Sequence, residues 1–166
     1  SVDSVLVNNM GFIDTHCHLN DETYEDVASV VEECRKQNID KMICIGFDLE
    51  SSKRAVELAN QFDIVYAAVG IHPDDADSYD EDVEKQLEEL ANNNKKVVAI
   101  GEIGLDYYWD KDNKDDQKDI FIKQIEIANK LNKPILVHSR DAMQDTFDIM
   151  KKYPAKGVMH CYSGSR

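Results

Sequence analysis

The segment Ile13-Asp14-Thr15-His16-Cys17-His18-Leu19 is a short apolar run that ends in two histidines one residue apart. Read as a β-strand, it alternates its side chains between two faces, so His16 and His18 share a face and Cys17 takes the other. Two imidazoles then converge on one point, which is how a strand end offers a pair of nitrogen ligands to a metal ion. A single pair of this kind also occurs in loops and on surfaces. Its meaning depends on what ends the other strands.

Outward from that segment, the chain alternates short apolar runs with amphipathic stretches from Met10 onward. The runs are Gly11–His16, Lys41–Ile45, Ile64–Val69, Lys96–Gly101, Pro134–Val137 and Gly157–Met159. They are rich in Ile, Val and Met and do not alternate strictly, as expected of buried parallel strands. Between them, Val27, Val30, Val31 and Cys34 follow a helical stripe, as do Ala55, Leu58, Ala59 and Phe62. Val83, Leu87, Leu90 and Ala91 form a third stripe, Phe121, Ile125 and Ala128 a fourth, and Met143, Phe147 and Met150 a fifth. Asp21 and Asp48 are placed to cap the first two helices, and Pro134 and Pro154 follow the ends of the last two.

Strict strand-helix alternation leaves a doubly wound parallel sheet or a (β/α)8 barrel. All five histidines lie at carboxyl ends of strands: His16 and His18 after the first, His72 after the third, His138 after the fifth and His160 after the sixth, with Glu102 after the fourth. In a barrel all strand ends surround one axis and these groups can meet, whereas in an open sheet the first and last strands lie too far apart. Neither a dinucleotide Gly-x-Gly-x-x-Gly nor a phosphate-loop motif is present. The expectation is an α/β TIM-type barrel with about six of its eight βα units in this chain, since a whole barrel takes about 250 residues. Residues 10–166 would form this hydrolase-type barrel, C-terminally incomplete, and residues 1–9 an N-terminal extension, native or left by expression.

The 166 residues are 42% hydrophobic and 31% charged, which suits one folded domain. Nineteen basic against thirty-three acidic side chains give a net charge of −14, which excludes a non-specific polyanion coat. A single nucleic-acid site survives that argument, because bound divalent cations reverse the field locally. Cys17, Cys34, Cys44 and Cys161 are scattered without metal-ribbon or disulfide spacing and read as buried thiols. No apolar run approaches the roughly 20 residues needed to span a bilayer, and no signal-peptide pattern is seen, so a cytoplasmic protein is expected.

The segments Ile13–Leu19 (IDTHCHL), Gly70–Pro73 (GIHP), Gly101–Asp106 (GEIGLD), Val137–Ala142 (VHSRDA) and His160–Ser165 (HCYSGS) together resemble the TatD family of metal-dependent hydrolases, in order and from Met10 to the end of the chain. The resemblance implies a deoxyribonuclease acting 3′ to 5′ on DNA, single-stranded or at 3′ ends. The alternatives to that reading are a D-aminoacyl-tRNA deacylase or another ester or amide hydrolase on the same scaffold, or an inactive truncated fragment. It further implies two divalent ions (Mg, Mn or Zn), with His16 and His18 on one, Glu102 bridging, and His138 and His160 on the other. The family's further aspartate, at the end of the eighth strand, would fall beyond Arg166. Two ions about 4 Å apart suit an in-line displacement at phosphorus, because they neutralise the phosphate and acidify water.

Glu102, Arg140 and His72 complete the catalytic set. Arg140, two residues after His138, faces the same region and has the planar fork that grips phosphate, with an ion pair to Asp141 as the plainer alternative. His72 is placed to hydrogen-bond phosphate or metal-bound water, or is a simple loop histidine. Tyr107, Tyr108 and Trp109 offer stacking surfaces for bases, or belong to the core. Gly101 and Gly104 suggest a tight strand-to-loop turn around Glu102 where backbone approaches closely. Cys17 and Cys161 flank ligands on the opposite strand face and are not nucleophiles.

Overall fold

A computed structural model describes residues 5–8, 11–17 and 24–161, with side chains from 27 to 157. The elements are β1 (Val5–Asn8), β2 (Gly11–Cys17), α1 (Tyr24–Lys36), β3 (Ile39–Ile45), α2 (Leu49–Gln61), β4 (Val65–Val69), a 3-10 turn (Pro73–Ser78), α3 (Glu81–Asn93), β5 (Val97–Asp106), α4 (Lys114–Lys130), β6 (Ile135–Arg140), α5 (Met143–Lys152) and β7 (Gly157–Cys161). They form one seven-stranded sheet whose spatial order is the chain order. β1 lies antiparallel against β2, and every later neighbour is parallel. Val5–Asn8, set aside in the sequence reading, thus joins the sheet by a short hairpin.

Strand order without reversal separates the two candidate architectures. A doubly wound sheet changes direction at a switch point and carries helices on both faces. Here α1 to α5 all pack into one core with one face of the sheet, built on Val31, Leu58, Leu87, Phe121 and Ile149 against Cys44, Val69, Ile103 and Val137. The other face holds a small separate layer of Ile45, Ala68 and Ala99, flanked by Ile43 and Leu136. An outer ring of helices and an inner layer of side chains across successive strands are the wall of a TIM-type barrel.

Local chemistry places the helices where the stripes indicate. Asp48 caps α2 with a reciprocal capping box: its carboxylate accepts the Ser51 N–H and the Ser51 hydroxyl accepts the Asp48 N–H. Asp21, the other expected cap, lies outside the described residues. One stripe is displaced. α5 buries Thr146 and Ile149 beside Ala142, leaving Met143 and Phe147 39% and 53% exposed. Two stripes one residue apart compete on this helix. The Thr146 hydroxyl decides between them by bonding the Ala142 carbonyl and the Ser139 hydroxyl inside the protein. Cys44 is buried and Cys34 partly so, while the side chains of Cys17 and Cys161 fall outside the described set. Among the described residues no helix is long and apolar enough to cross a membrane.

Candidate metal centre

The site grows from the carboxyl end of β5. The sequence reading ends this strand at Gly101, but it runs on to Asp106, so Gly101 and Gly104 mark close approach rather than a turn. A Cβ on Gly104, whose φ is +141°, would collide with the His138 carbonyl oxygen of β6. Only glycine lets the two strands close there.

A β-bulge aims the carboxylate. Ile100 pairs with Ile135 and Ile103 with Val137, so three steps on β5 oppose two on β6. Simple alternation from Ile100 would send Glu102 into the helix-packed core. The extra residue reverses the parity, so that Ile103 and Leu105 face the core and Glu102 and Asp106 meet His138 on the inner face. On β6 the alternation is regular: Ile135 and Val137 are in the outer core, and Leu136 is in the inner layer.

His138 sits between two carboxylates. Its Nδ1 is 3.0 Å from Glu102 Oε1 and its Nε2 is 2.9 Å from Asp106 Oδ2, with all three side chains buried. Burial pulls the His138 pKa down, but the hydrogen bonds and charges of Glu102 and Asp106 outweigh it and raise the pKa above the ordinary histidine value. His72 follows β4 and stands 4.4 Å from His138, ring centre to ring centre. Its pKa falls to about 4, first from burial and then from the neighbouring His138. His72 is therefore neutral at physiological pH. Because its Nδ1 accepts the Asp74 N–H at 3.1 Å, the neutral ring carries its proton on Nε2.

Donor atoms of His72, Glu102 and His138 lie within 4.8 Å of one another, and nitrogen and carboxylate donors in this number suit a divalent ion. The expected residues are otherwise distributed as follows. His16 is in β2 and His160 is in β7, where it pairs with His138 in the ladder; both side chains lie outside the described set, and His18 lies outside the described residues altogether. The Arg140 guanidinium lies 3.6 Å from the centre of the Tyr108 ring and 5.7 Å from that of Trp109. The aromatic run is split in role. Tyr107 is buried with its hydroxyl donating to Asp145, whereas Tyr108 and Trp109 are 48% and 70% exposed.

Three residues that shape the site escaped the sequence reading. Asp106 closes the far side of His138, and its position four residues after Glu102, beyond the bulge, is the signal for a shared face. Gln117 and Gln124 of α4 each bracket a backbone unit beside the site. Gln124 accepts the Ile71 N–H and donates to the Ile71 carbonyl, and Gln117 does the same for Asp106. With Phe121, Ile125 and Ala128 they occupy one helical stripe, so buried amides in an apolar stripe were the available clue. Beside the site, a groove of about 880 Å³ between the 3-10 turn and α4 is lined by Asp74, Asp77, Glu84, Asp116 and Asp119. Acidic side chains outnumber basic ones in that lining, so the groove carries a negative field.

The model of the TatD related DNase family matches residues 13–166. The chain is 44% identical over 156 residues to an uncharacterized metal-dependent hydrolase, YabD, of Bacillus subtilis, covering 92% of this chain and 61% of that protein. It is 36% identical over 158 residues to the deoxyribonuclease Tat-D of Schizosaccharomyces pombe, covering 85% of this chain and 50% of that one. The crystal structure of YJJV, a TatD homologue from Escherichia coli, superposes with a TM-score of 0.83 at 30% identity, over 92% of this chain and 61% of the other. The chain thus spans about three-fifths or less of the length of these relatives.

Proposed function

Because the chain belongs to the TatD-related DNase family, we propose that it carries most of the active site of a metal-dependent phosphodiester hydrolase acting on DNA, with nucleotides released from 3′ ends. The observation that carries this reading is the meeting of two would-be ligands, Glu102 and His138, on the inner face of one barrel wall with His72 beside them, the three within 4.8 Å. The Schizosaccharomyces pombe relative, named a deoxyribonuclease, supports DNA as the substrate class.

In this reading His16, His18, Glu102, His138 and His160 would hold the divalent ions. When bound, the ions would supply charge to neutralise a phosphate and to acidify water. The protein's own groups then divide the work. Glu102 and His138 are held by their strands in a buried, water-poor setting, where charge acts strongly. Neutral His72, with its proton on Nε2, donates a hydrogen bond to a phosphate oxygen and places no competing positive charge near the ions. Arg140, stacked on Tyr108, binds the strand's phosphate through its planar guanidinium while the exposed faces of Tyr108 and Trp109 take a base.

The test is release of nucleotides from 5′-labelled single-stranded DNA by the native full-length polypeptide, before and after chelation and with Mn²⁺ restored. Release should vanish on chelation and return with metal. Glu102→Gln should lower it about 10³-fold, as expected when several kcal/mol of transition-state charge stabilisation is lost. Metal-loaded protein that leaves DNA intact while deacylating D-Tyr-tRNA would move the reading to ester hydrolysis.

A further inference from the structure

Asp106 takes no part in the donor group of His72, Glu102 and His138, yet it is 2% exposed and aims one oxygen at the far nitrogen of His138, at 2.9 Å. Every other polar contact of the residue holds it in place. Its Oδ1 accepts the Tyr108 N–H at 3.0 Å, and its backbone N–H and carbonyl are both taken by the Gln117 amide at 2.9 Å. Both carboxylate oxygens are thus engaged, and the backbone that carries them is bracketed by Gln117, which holds the group away from a prospective ion. Glu102 differs, since it stands on the other side of the ring, among the donors that surround a prospective ion.

We infer that Asp106 is a positioning residue for His138: it keeps the imidazole proton on Nε2 and so turns the Nδ1 lone pair toward Glu102, where an ion would bind. The inference rests on the metal reading above and adds to it the mechanism by which one ligand is prepared. A histidine ligand whose other nitrogen donates to a carboxylate has a fixed tautomer, a fixed ring plane and greater basicity. The same carboxylate also orders the chain leading to Tyr108, on which Arg140 stacks. One buried group thereby ties the ligand side of the site to the substrate side.

Asp106→Asn separates this role from simple packing, because it is isosteric. The Tyr108 N–H still requires an acceptor, so the asparagine oxygen turns to Tyr108 and its NH₂ faces His138. His138 Nε2 must then accept, and the ring proton moves to Nδ1, where it blocks the ion. Two measurements on the native full-length polypeptide decide the matter. The first is the His138 tautomer by long-range ¹H–¹⁵N correlation, assigned against His138→Gln and recorded without metal at a pH where the ring is neutral. The second is Zn²⁺ affinity by calorimetry. The wild type should carry the proton on Nε2. Asp106→Asn should carry it on Nδ1 and bind Zn²⁺ about 10–100-fold more weakly, with its melting transition close to that of the wild type. A wild-type proton on Nδ1 overturns the inference whether or not the variant folds. So does a folded Asn variant that binds Zn²⁺ as tightly as the wild type. Wild-type protein that takes up no Zn²⁺ while His138 keeps its Nε2 proton overturns the metal reading itself, and with it the purpose assigned to Asp106.

Discussion

The two faces of β5 are made of opposite chemistry. Outward, Ile100, Ile103 and Leu105 are fully buried against the helices. Inward, Glu102 and Asp106 are almost as buried and carry carboxylates. Burying a polar group is tolerable only when its bonds are made. Both Asp106 oxygens have partners, and Glu102 meets His138. The lesson is a division of labour within one strand: apolar burial outward stabilises the barrel wall, and mutual hydrogen bonding inward lets charged groups stay dry. The bulge between Ile100 and Ile103 makes the division possible by shifting parity where the site begins.

The hardest blow to that division comes from the apolar face. Leu105→Ala should cost about 2–5 kcal/mol by leaving a cavity under α4, and lower the melting temperature by roughly 5–15 °C for a domain of this size. Hydrolysis by the full-length polypeptide, measured well below the transition, should stay near the wild-type rate. If activity collapses at a temperature where the variant is folded, the two faces are not separable and the comparison breaks.

A smaller effect is expected from the inner face of the adjacent strand. Arg140→Lys keeps the charge but loses the planar stack on Tyr108 and the two-pronged grip on phosphate. The KM for DNA should rise about tenfold, which is about 1.4 kcal/mol, with kcat and melting temperature little changed. A large fall in melting temperature without a change in KM would show that Arg140 serves the wall rather than the substrate.

These faces were unevenly legible in the sequence. The helical stripes of α1 to α4 and the runs behind β2 to β7 stand out because apolar burial repeats with the period of the element. His138 and Glu102 stood out because the apolar runs Pro134–Val137 and Lys96–Gly101 stop just before them, although both strands continue past them. The bulge was not, because an extra residue in one strand leaves no compositional trace beyond two glycines with several meanings. Asp106, Gln117 and Gln124 were missed for a related reason: they are polar residues whose burial depends on backbone partners distant in sequence, such as Ile71 for Gln124. In α5, periodicity alone could not choose between two stripes until the Thr146 hydroxyl had a partner.

The smallest effect belongs to Tyr107, where β5 ends and the alternation of faces gives way to a loop. Its buried ring extends the apolar side, while its hydroxyl reaches out to donate to Asp145 at 2.7 Å. That hydrogen bond first, and Lys118 after it, hold the Asp145 pKa below the ordinary aspartate value. A carboxyl group depressed in the folded state stabilises the fold above its unfolded pKa of about 3.9, and the gain is lost as pH falls through the folded value. Asp145 is more than a third exposed, so solvent screening keeps the contribution small. Tyr107→Phe should therefore cost about 0.5–1 kcal/mol near neutral pH. In denaturant titrations below about pH 4 the gap between variant and wild type should narrow, since the protonated carboxyl no longer attracts the hydroxyl as strongly. A gap that stays constant with pH would assign the loss to ring packing, and would place Tyr107 wholly with the apolar face of β5.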